Sequence, residues 1–227
     1  KDDPMMIPAW RPDKAMNIEK ADFSKYVEQL AEVSGVNIVK FADMVDALQK
    51  RHDFFAENGC KLSDHGIEEF YDEEYTDSEI ETIFEKAMRG QQLSKLEVRQ
   101  FKNCFLTVMA EMDADSDWTQ QFHYGAIRDN NTKMFNQLGP DTGFDSIGEF
   151  NTAKAMSNFL NKLNMKDKLT RTILYTLNPC ANEMIATMLG NFQGGEPGKI
   201  QFGSGWWFND QMDGMVRQMN ALSVLGL

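Results

Sequence analysis

The sequence predicts an α/β fold built around a largely parallel sheet, and three observations support this. Short apolar or β-rich runs alternate with segments that carry the apolar period of a helix. Polar residues of types that act in catalysis or binding lie where these runs end, and active sites of parallel sheets lie at the strand ends. The runs number five, whereas a closed barrel of this type needs eight strands. The pattern is therefore typical of a barrel enzyme of which about five of eight strands are present.

The predicted strands and helices follow one another along the chain. Strands are predicted at 5–10, 60–63, 118–127, 172–177 and 200–208, and helices at 23–34, 41–58, 77–89, 95–112, 151–163, 182–189 and 210–225. Two of the helices begin with a capping box, formed by Thr76 with Glu79 and by Ser94 with Glu97. The apolar stripes of these helices predict core packing.

Composition and charge argue against several classes of function. The 227 residues carry a formal net charge of −12, which repels polyanions, so no nucleic-acid partner is expected. The three cysteines are widely spaced and form no CxxC pair, which favours a reducing cytoplasm over a disulfide framework. No apolar run approaches the roughly 20 residues of a transmembrane helix, so no membrane partner is expected. A glycine-rich nucleotide-binding loop is also absent from the sequence.

Two histidines are candidates for catalysis or metal binding because each lies beside a predicted strand end. Asp64 and His65 follow the run 60–63, and His123 lies in the third predicted strand. Imidazoles at such positions serve as ligands or acid–base groups at a barrel mouth. The alternative for each is an ordinary structural role. His52 has the spacing of a helix core residue and is interpreted as structural.

Arginine and tryptophan side chains are candidates for substrate binding. Arg11 precedes Pro12, which stops the strand, so its planar guanidinium can meet a carboxylate. The alternative for Arg11 is an ion pair with Asp13 or another surface acid. Trp206 and Trp207 follow a Gly-Ser-Gly turn, and indole faces suit the C–H faces of a sugar. The alternative for the two tryptophans is core or lid packing.

Five blocks of sequence, taken in order, resemble the uronate (glucuronate) isomerases. They are IPAWRPDK at 7–14, GCKLSDH at 59–65, QFHYGAIR at 121–128, GPDTGFD at 139–145 and GSGWWFND at 203–210. The resemblance extends over essentially the whole chain. Several long blocks in the same order are far more specific than one short motif.

The resemblance implies both a fold and an activity. The implied fold is the (β/α)8 TIM-type barrel of the amidohydrolase superfamily, with 1–227 as a single incomplete barrel domain and a mainly helical insertion around 66–117. The implied activity is that of an aldose–ketose isomerase of hexuronate catabolism, which interconverts D-glucuronate with D-fructuronate and D-galacturonate with D-tagaturonate. The expected partner is a small hexuronate, and assembly into a homo-oligomer stays open.

The resemblance also assigns roles to individual residues. His65 and His123 match family histidines at the barrel mouth and are assigned to catalysis, with His123 also a candidate metal ligand. Arg11 is expected to bind the substrate carboxylate, and Arg128 is assigned to substrate binding as well. Trp206 or Trp207 is expected to form a wall of the sugar site.

A divalent metal, with zinc as the expected ion, follows from the resemblance. The family's main ligands, a His-x-His pair on the first strand and an Asp followed closely by Arg on the last, cannot be placed in this sequence. Asp2-Asp3-Pro4 resembles an earlier strand end, and Leu225-Gly226-Leu227 stands just before the expected last strand. We therefore expect an internal portion of the family's chain that is inactive and poorly soluble by itself.

Two other functions remain open at this point. A metal-dependent hydrolase of the amidohydrolase type would use the same barrel, with metal and base activating water against a sugar-acid derivative. Such an enzyme would hydrolyse a lactone without isomerising the acid. A non-catalytic remnant would bind no divalent metal.

Overall fold

The computed structural model of the protein describes residues 6–225. The helices are α1 (Asp13–Met16), α2 (Phe23–Ser34), α3 (Phe41–Glu57), α4 (Asp77–Met88), α5 (Lys95–Asp115), α6 (Thr132–Leu138), α7 (Ala153–Met165), α8 (Asn182–Gly190) and α9 (Met212–Leu225). The strands are β1 (Leu62–Ile67), β2 (Thr119–Tyr124), β3 (Ala126–Ile127), β4 (Ser146–Ile147), β5 (Thr172–Thr176) and β6 (Ile200–Phe202). Pro179–Ala181 and Trp207–Asn209 are 3₁₀ helices.

The strands form one four-stranded sheet and one antiparallel pair. The sheet has the order β1-β2-β5-β6, and β5 runs parallel to β6 with Thr172 opposite Ile200. In the pair, β3 and β4 run antiparallel with Ala126 opposite Ile147. The strands of the sheet keep their chain order and are separated by helices, as in successive βα units. The predicted α/β class is confirmed.

The first predicted strand, 5–10, does not form. Residue 5 lies outside the described residues, and those that follow it have no regular structure before Trp10. Trp10 makes an isolated parallel bridge to Ser63. Pro8 and Pro12 lie on either side of this bridge and have no N–H to extend a ladder. The segment therefore contributes one paired residue in place of a strand.

β1 begins and ends later than the sequence predicted. Asp64 and His65 were expected to follow a strand at 60–63, but β1 runs from Leu62 to Ile67 and contains both. Burial alternates along the whole strand, and His65 lies on its buried side. Because successive side chains of a strand point to opposite faces, Asp64 and His65 face in opposite directions. The expectation that both lie beyond the strand end was wrong.

Two further predicted strands are shorter than expected. The run 118–127 divides into β2 and β3 at Gly125, whose φ of 99° is a conformation that favours glycine. The run 200–208 ends as a strand at Phe202, because the Gly-Ser-Gly turn leads into a 3₁₀ helix. β4 was not predicted, since its two residues are both exposed and show no alternation.

The predicted helices are present, and local signals set their ends. Thr76 and Glu79 form the capping box of α4, in which Thr76 N donates to Glu79 Oε2 at 2.7 Å. Ser94 and Glu97 form that of α5, with the equivalent bond at 2.8 Å. α2 ends at Gly35, whose φ is 66°. α1 and α6 were not predicted, because four and seven residues are too few to establish a helical period.

The chain forms two compact units. The first unit contains 6–65, 71–120 and 158–170, and the second contains 66–70, 121–157 and 171–225. In the first unit, phenylalanines from α2, α3, α4 and α5 pack edge to face: Phe23, Phe41, Phe84 and Phe101. In the second unit, the rings in contact are Phe70, Phe122 and Tyr124. Each unit thus has an aromatic core. Of the helices described, none combines the length and apolar character needed to cross a membrane.

Candidate active site

A chain of polar contacts in the first unit forms what we call the ionic cluster: Arg11, Asp13, Asp64 and His65. Arg11 follows the Trp10 bridge, Asp13 opens α1, and the other two lie in β1. Arg11 Nε donates to Asp13 Oδ2 at 2.9 Å, and Arg11 Nη1 lies 3.1 Å from Asp64 Oδ2. Asp13 Oδ1 lies 3.2 Å from His65 Nδ1. Asp13 therefore links the arginine to the histidine.

Arg11 keeps its positive charge in this setting. Burial by itself would lower the pKa of the guanidinium, but the hydrogen bond to Asp13 and the negative charges of Asp13 and Asp64 raise that pKa above its ordinary value. The side chain is 54% exposed. Its contacts within 6–225 use Nε and Nη1, so the Nη2 donors are available to an anion. The ion pair with Asp13 is therefore present, and carboxylate binding by Arg11 stays a prediction.

A fully buried polar network supports β1 next to the ionic cluster. Asp113 on α5 accepts a hydrogen bond from Ser63 Oγ through one carboxylate oxygen, and its other oxygen lies 3.2 Å from His52 Nε2. All three side chains have 0% exposure. The His52 ring stacks on Trp118 with ring centroids 3.7 Å apart. These contacts support the structural interpretation of His52 and hold Ser63, the residue before Asp64, in place.

Rings meet in the second unit, in what we call the aromatic cluster: His123, Tyr175, Trp206 and Trp207. The imidazole of His123 on β2 stacks on the phenol of Tyr175 on β5, with centroids 4.1 Å apart and planes 8° apart. Trp206 meets the same imidazole edge-on at 4.8 Å, and Trp207 lies 5.6 Å from Trp206. Two rings therefore define the orientation of His123.

Tyr175 is a member of the site that the sequence analysis missed. Its hydroxyl donates to Gln121 Oε1 at 2.9 Å, which holds the phenol under the imidazole of His123. A Cβ at Gly203 would lie 2.2 Å from the Tyr175 ring, so only glycine leaves room for it. Side chains alternate along β5, so Tyr175 lies on the face opposite to the buried Leu174 and Thr176. One sequence does not show that this face meets His123 of β2.

The two tryptophans lie in a turn that the backbone holds tightly. Trp207 has a φ of 53°, a left-handed conformation that is costly for a bulky residue. A Cβ at Gly205 would lie 2.6 Å from the Asn209 carbonyl oxygen. The buried Asn209 amide donates to the Leu177 carbonyl at 3.0 Å, just past the end of β5. Surrounding contacts thus impose the strained position of Trp207, as is common at binding sites.

Arg128 packs against the aromatic cluster. Its guanidinium carbon lies 5.2 Å from the ring centroid of Trp207. The guanidinium also pairs with Asp141, and Nη1 lies 3.5 Å from Asp145 Oδ2. Asp145 is held in turn, because its Oδ1 accepts a hydrogen bond from Asp129 N at 2.8 Å. Arg128 is therefore a partly exposed cation. Asp141, Asp145 and the ring of Trp207 hold its guanidinium.

The residues predicted for the site fall into these two groups. Arg11 and His65 belong to the ionic cluster, and His123, Trp206, Trp207 and Arg128 to the aromatic cluster and its surroundings. Over 6–225, no group of three or more His, Cys, Asp or Glu side chains is arranged to hold a metal ion. The described residues do not by themselves fit a metal centre, so no step below passes through a metal.

Known proteins resemble this chain closely in sequence. The profile of the glucuronate isomerase family matches residues 1–227. Uronate isomerases of Phocaeicola vulgatus and Bacteroides thetaiotaomicron are each 70% identical to it over 224 residues, which is 98% of this chain and 48% of each relative. The chain thus spans about half the length of the curated relatives it matches.

Solved structures resemble it in fold. The crystal structure of the uronate isomerase of Thermotoga maritima matches with a TM-score of 0.90 at 32% identity, over 97% of this chain and 48% of that one. The glucuronate isomerase of Caulobacter crescentus matches with a TM-score of 0.86 at 27% identity, over 96% and 44%. These matches confirm the predicted class, a partial (β/α)8 TIM-type barrel with helical insertions. The chain belongs to the glucuronate isomerase family.

Proposed function

We propose that the natural-length protein carrying this chain is a uronate isomerase. It would interconvert D-glucuronate with D-fructuronate, and D-galacturonate with D-tagaturonate, as an intramolecular oxidoreductase of the aldose–ketose type. The observation that carries this proposal is the family match over residues 1–227, together with relatives that are 70% identical. Each cluster, taken by itself, contains groups of a kind that such a reaction uses.

The reaction moves a proton between C2 and C1 of the open-chain sugar acid. The C–H bond at C2 of the aldose breaks and a C–H bond forms at C1. The hydroxyl proton leaves the C2 oxygen and a proton reaches the C1 oxygen, so the carbonyl passes from C1 to C2. Such a step needs an acid–base group, stabilisation of the developing oxyanion and a fixed substrate. The last requirement is met most simply by binding the carboxylate that every hexuronate carries.

In this proposal the ionic cluster binds the carboxylate. The Nη2 donors of Arg11 would hold it, while Asp13 and Asp64 fix the guanidinium plane at 2.9 and 3.1 Å. His65, which is 1% exposed, would act as an acid–base group whose ring Asp13 orients at 3.2 Å. A base held by a carboxylate is a common arrangement for moving protons.

In the second unit, the aromatic cluster is proposed by itself as a group of acid–base and sugar-binding residues. Stacking on Tyr175 fixes the plane of the His123 ring, and a fixed imidazole suits an acid–base role. Trp206 or Trp207 would cover a C–H face of the sugar. Arg128, held beside Trp207, would contact a substrate oxygen.

Several broader features belong to the same proposal. The proposal includes a divalent metal, with zinc as the first candidate and His123 as a candidate ligand, and the resemblance places its main ligands outside this chain. The residues 1–227 would form part of a single barrel domain with a mainly helical insertion around 66–117. A cytoplasmic location and assembly into a homo-oligomer are proposed with it.

The test is an isomerisation assay on the natural-length protein. With divalent metal added, D-glucuronate should yield D-fructuronate, and D-galacturonate should yield D-tagaturonate. Chromatography identifies the products. Hydrolysis of glucuronolactone without isomerisation of glucuronate would replace this proposal with a hydrolase. Absence of turnover together with absence of metal binding would indicate a non-catalytic protein.

A further inference from the structure

A cavity of about 500 Å³ lies in the first unit and includes none of the residues of the ionic cluster. Its wall is formed by the segment 71–75, by Asp77 and Asn103, and by one side of α7. Lys162 and Lys166 are the amines in this wall. The cavity is therefore a concave, polar space in which a primary amine is exposed to small molecules.

Lys162 differs from the next two lysines in the chain, Lys166 and Lys168, in its hydrogen-bond partners. Its Nζ donates to the Tyr75 hydroxyl at 2.9 Å and lies 3.4 Å from Thr107 Oγ1. Within 6–225, no carboxylate pairs with it. By contrast, Lys166 pairs with Glu111 at 2.7 Å, and Lys168 pairs with Asp115. Neutral hydroxyls thus hold Lys162 where its neighbours have anionic partners.

The surroundings also make Lys162 less basic than an ordinary lysine. Burial lowers the pKa of its ammonium group, and the positive charge of Lys166 lowers that pKa further. Only the neutral amine is a nucleophile, so a lower pKa increases the reactive fraction near neutral pH. Burial raises the pKa of the Tyr75 phenol, so this hydroxyl stays protonated beside the amine.

We propose that Lys162 is a covalent carbonyl-binding site that forms an imine with small neutral hydroxy-aldehydes. The Lys162 nitrogen attacks the carbonyl carbon, a C–N bond forms and the C=O π bond breaks. The nitrogen proton passes to the oxygen to give a carbinolamine, which then loses water to give the imine. The Tyr75 hydroxyl, 2.9 Å from the nitrogen, is placed to donate a proton to the departing oxygen.

The wall of the cavity selects against anionic aldehydes. Asp72, Glu73, Glu74 and Asp77 all line it, and their carboxylates repel an anionic ligand. Hydroxyl groups of a neutral aldehyde can instead donate hydrogen bonds to these carboxylates. Open-chain neutral sugars and short hydroxy-aldehydes fit this chemistry. The inference is independent of the proposed isomerase activity and involves different residues.

The experiment is reductive labelling of the natural-length protein with D-glyceraldehyde and cyanoborohydride near neutral pH, with peptide mass spectrometry to measure each lysine. Labelling at Lys162 should exceed that at Lys166 and Lys168 by at least about threefold, because the neutral fraction of an amine rises about tenfold for each unit of lowered pKa. The anionic aldehyde glyoxylate should label Lys162 less than glyceraldehyde does.

Two variants make the test specific. Lys166→Gln removes the like charge beside Lys162 and should reduce its labelling, whereas the matched control Lys168→Gln should leave it unchanged. A thermal melt of each variant checks that the fold is retained. Labelling of Lys166 or Lys168 equal to that of Lys162 would overturn the proposal, and so would a preference for glyoxylate.

Discussion

The ionic and aromatic clusters orient a histidine in two different ways. In the ionic cluster, His65 is almost fully buried and its Nδ1 lies 3.2 Å from the Asp13 carboxylate. In the aromatic cluster, His123 is half-buried and rests on the faces and edges of Tyr175 and Trp206. A carboxylate fixes one ring through a nitrogen, whereas ring contacts fix the other through its plane.

In our proposal each cluster has its own task. Opposite charges at 2.9 and 3.1 Å hold Arg11 in a fixed place, which suits a residue that binds an anion. Ring contacts define the direction of the imidazole of His123, which suits a residue that moves a proton. Variants in one cluster should therefore affect substrate affinity, and variants in the other should affect the rate of the chemical step.

The largest effect is expected at His123. In the natural-length protein, His123→Asn should lower kcat for D-glucuronate by about 10²- to 10⁴-fold, the usual loss when a general acid–base group is removed. KM should change much less, because the substitution removes no donor to the substrate carboxylate. Steady-state kinetics measure both. A kcat within twofold of the unaltered protein would remove His123 from the chemistry.

The buried network of Asp113 should matter most for stability. Asp113→Ala leaves His52 and Ser63 without their buried partner and should lower the free energy of unfolding by about 3 kcal/mol. The matched control on the same helix is Asp115→Ala, which removes an exposed pair with Lys168 and should cost less than about 1 kcal/mol. Denaturant unfolding compares the two. Equal losses would mean that Asp113 is not an anchor for β1.

An intermediate effect is expected at Arg11. Arg11→Lys keeps the positive charge but loses the planar set of donors, so KM for D-glucuronate should rise about 10- to 100-fold, as for a lost charged hydrogen bond. D-glucuronamide, which has no carboxylate, serves as the control substrate and should show a much smaller change. An equal rise in KM for both substrates would mean that Arg11 does not bind the carboxylate.

The smallest effect is expected at Tyr175. Tyr175→Leu removes the ring that stacks on His123 and should lower kcat about 2- to 10-fold, in line with the energy of an aromatic pair. Tyr175→Phe keeps the ring and loses the bond to Gln121, so its kcat should stay closer to that of the unaltered protein. The ring-current shift of the His123 protons in NMR reports the stack directly. Its persistence in Tyr175→Leu would contradict the stacking.

Local features of the chain were predictable, and pairings between distant residues were not. The capping boxes at Thr76 and Ser94 lie within four residues of sequence, so α4 and α5 begin where predicted. The end of β1 depends on burial against other elements, so it extends past Ser63 to Ile67 against the prediction. The Trp10 bridge replaced a predicted strand for a local reason, because Pro8 and Pro12 have no N–H to extend a ladder.

The candidate site shows the same limit. The family blocks pointed to Arg11, His65 and His123, because they are continuous in sequence. Tyr175 lies outside every block, 52 residues beyond the His123 that it contacts. Asp13 lies inside a block but was considered only as an alternative partner for Arg11, and its bond to His65 depends on the packing of α1 near β1. Contacts of this kind are non-local, and spacing in one sequence does not encode them.

The central claim is that Arg11 binds the substrate and His123 moves the proton. Its most direct test is a side-by-side measurement of kcat and KM on D-glucuronate for Arg11→Lys and His123→Asn in the natural-length protein. We predict that Arg11→Lys raises KM with kcat nearly retained, and that His123→Asn lowers kcat with KM nearly retained. Two variants that change the same parameter to the same extent would contradict this account.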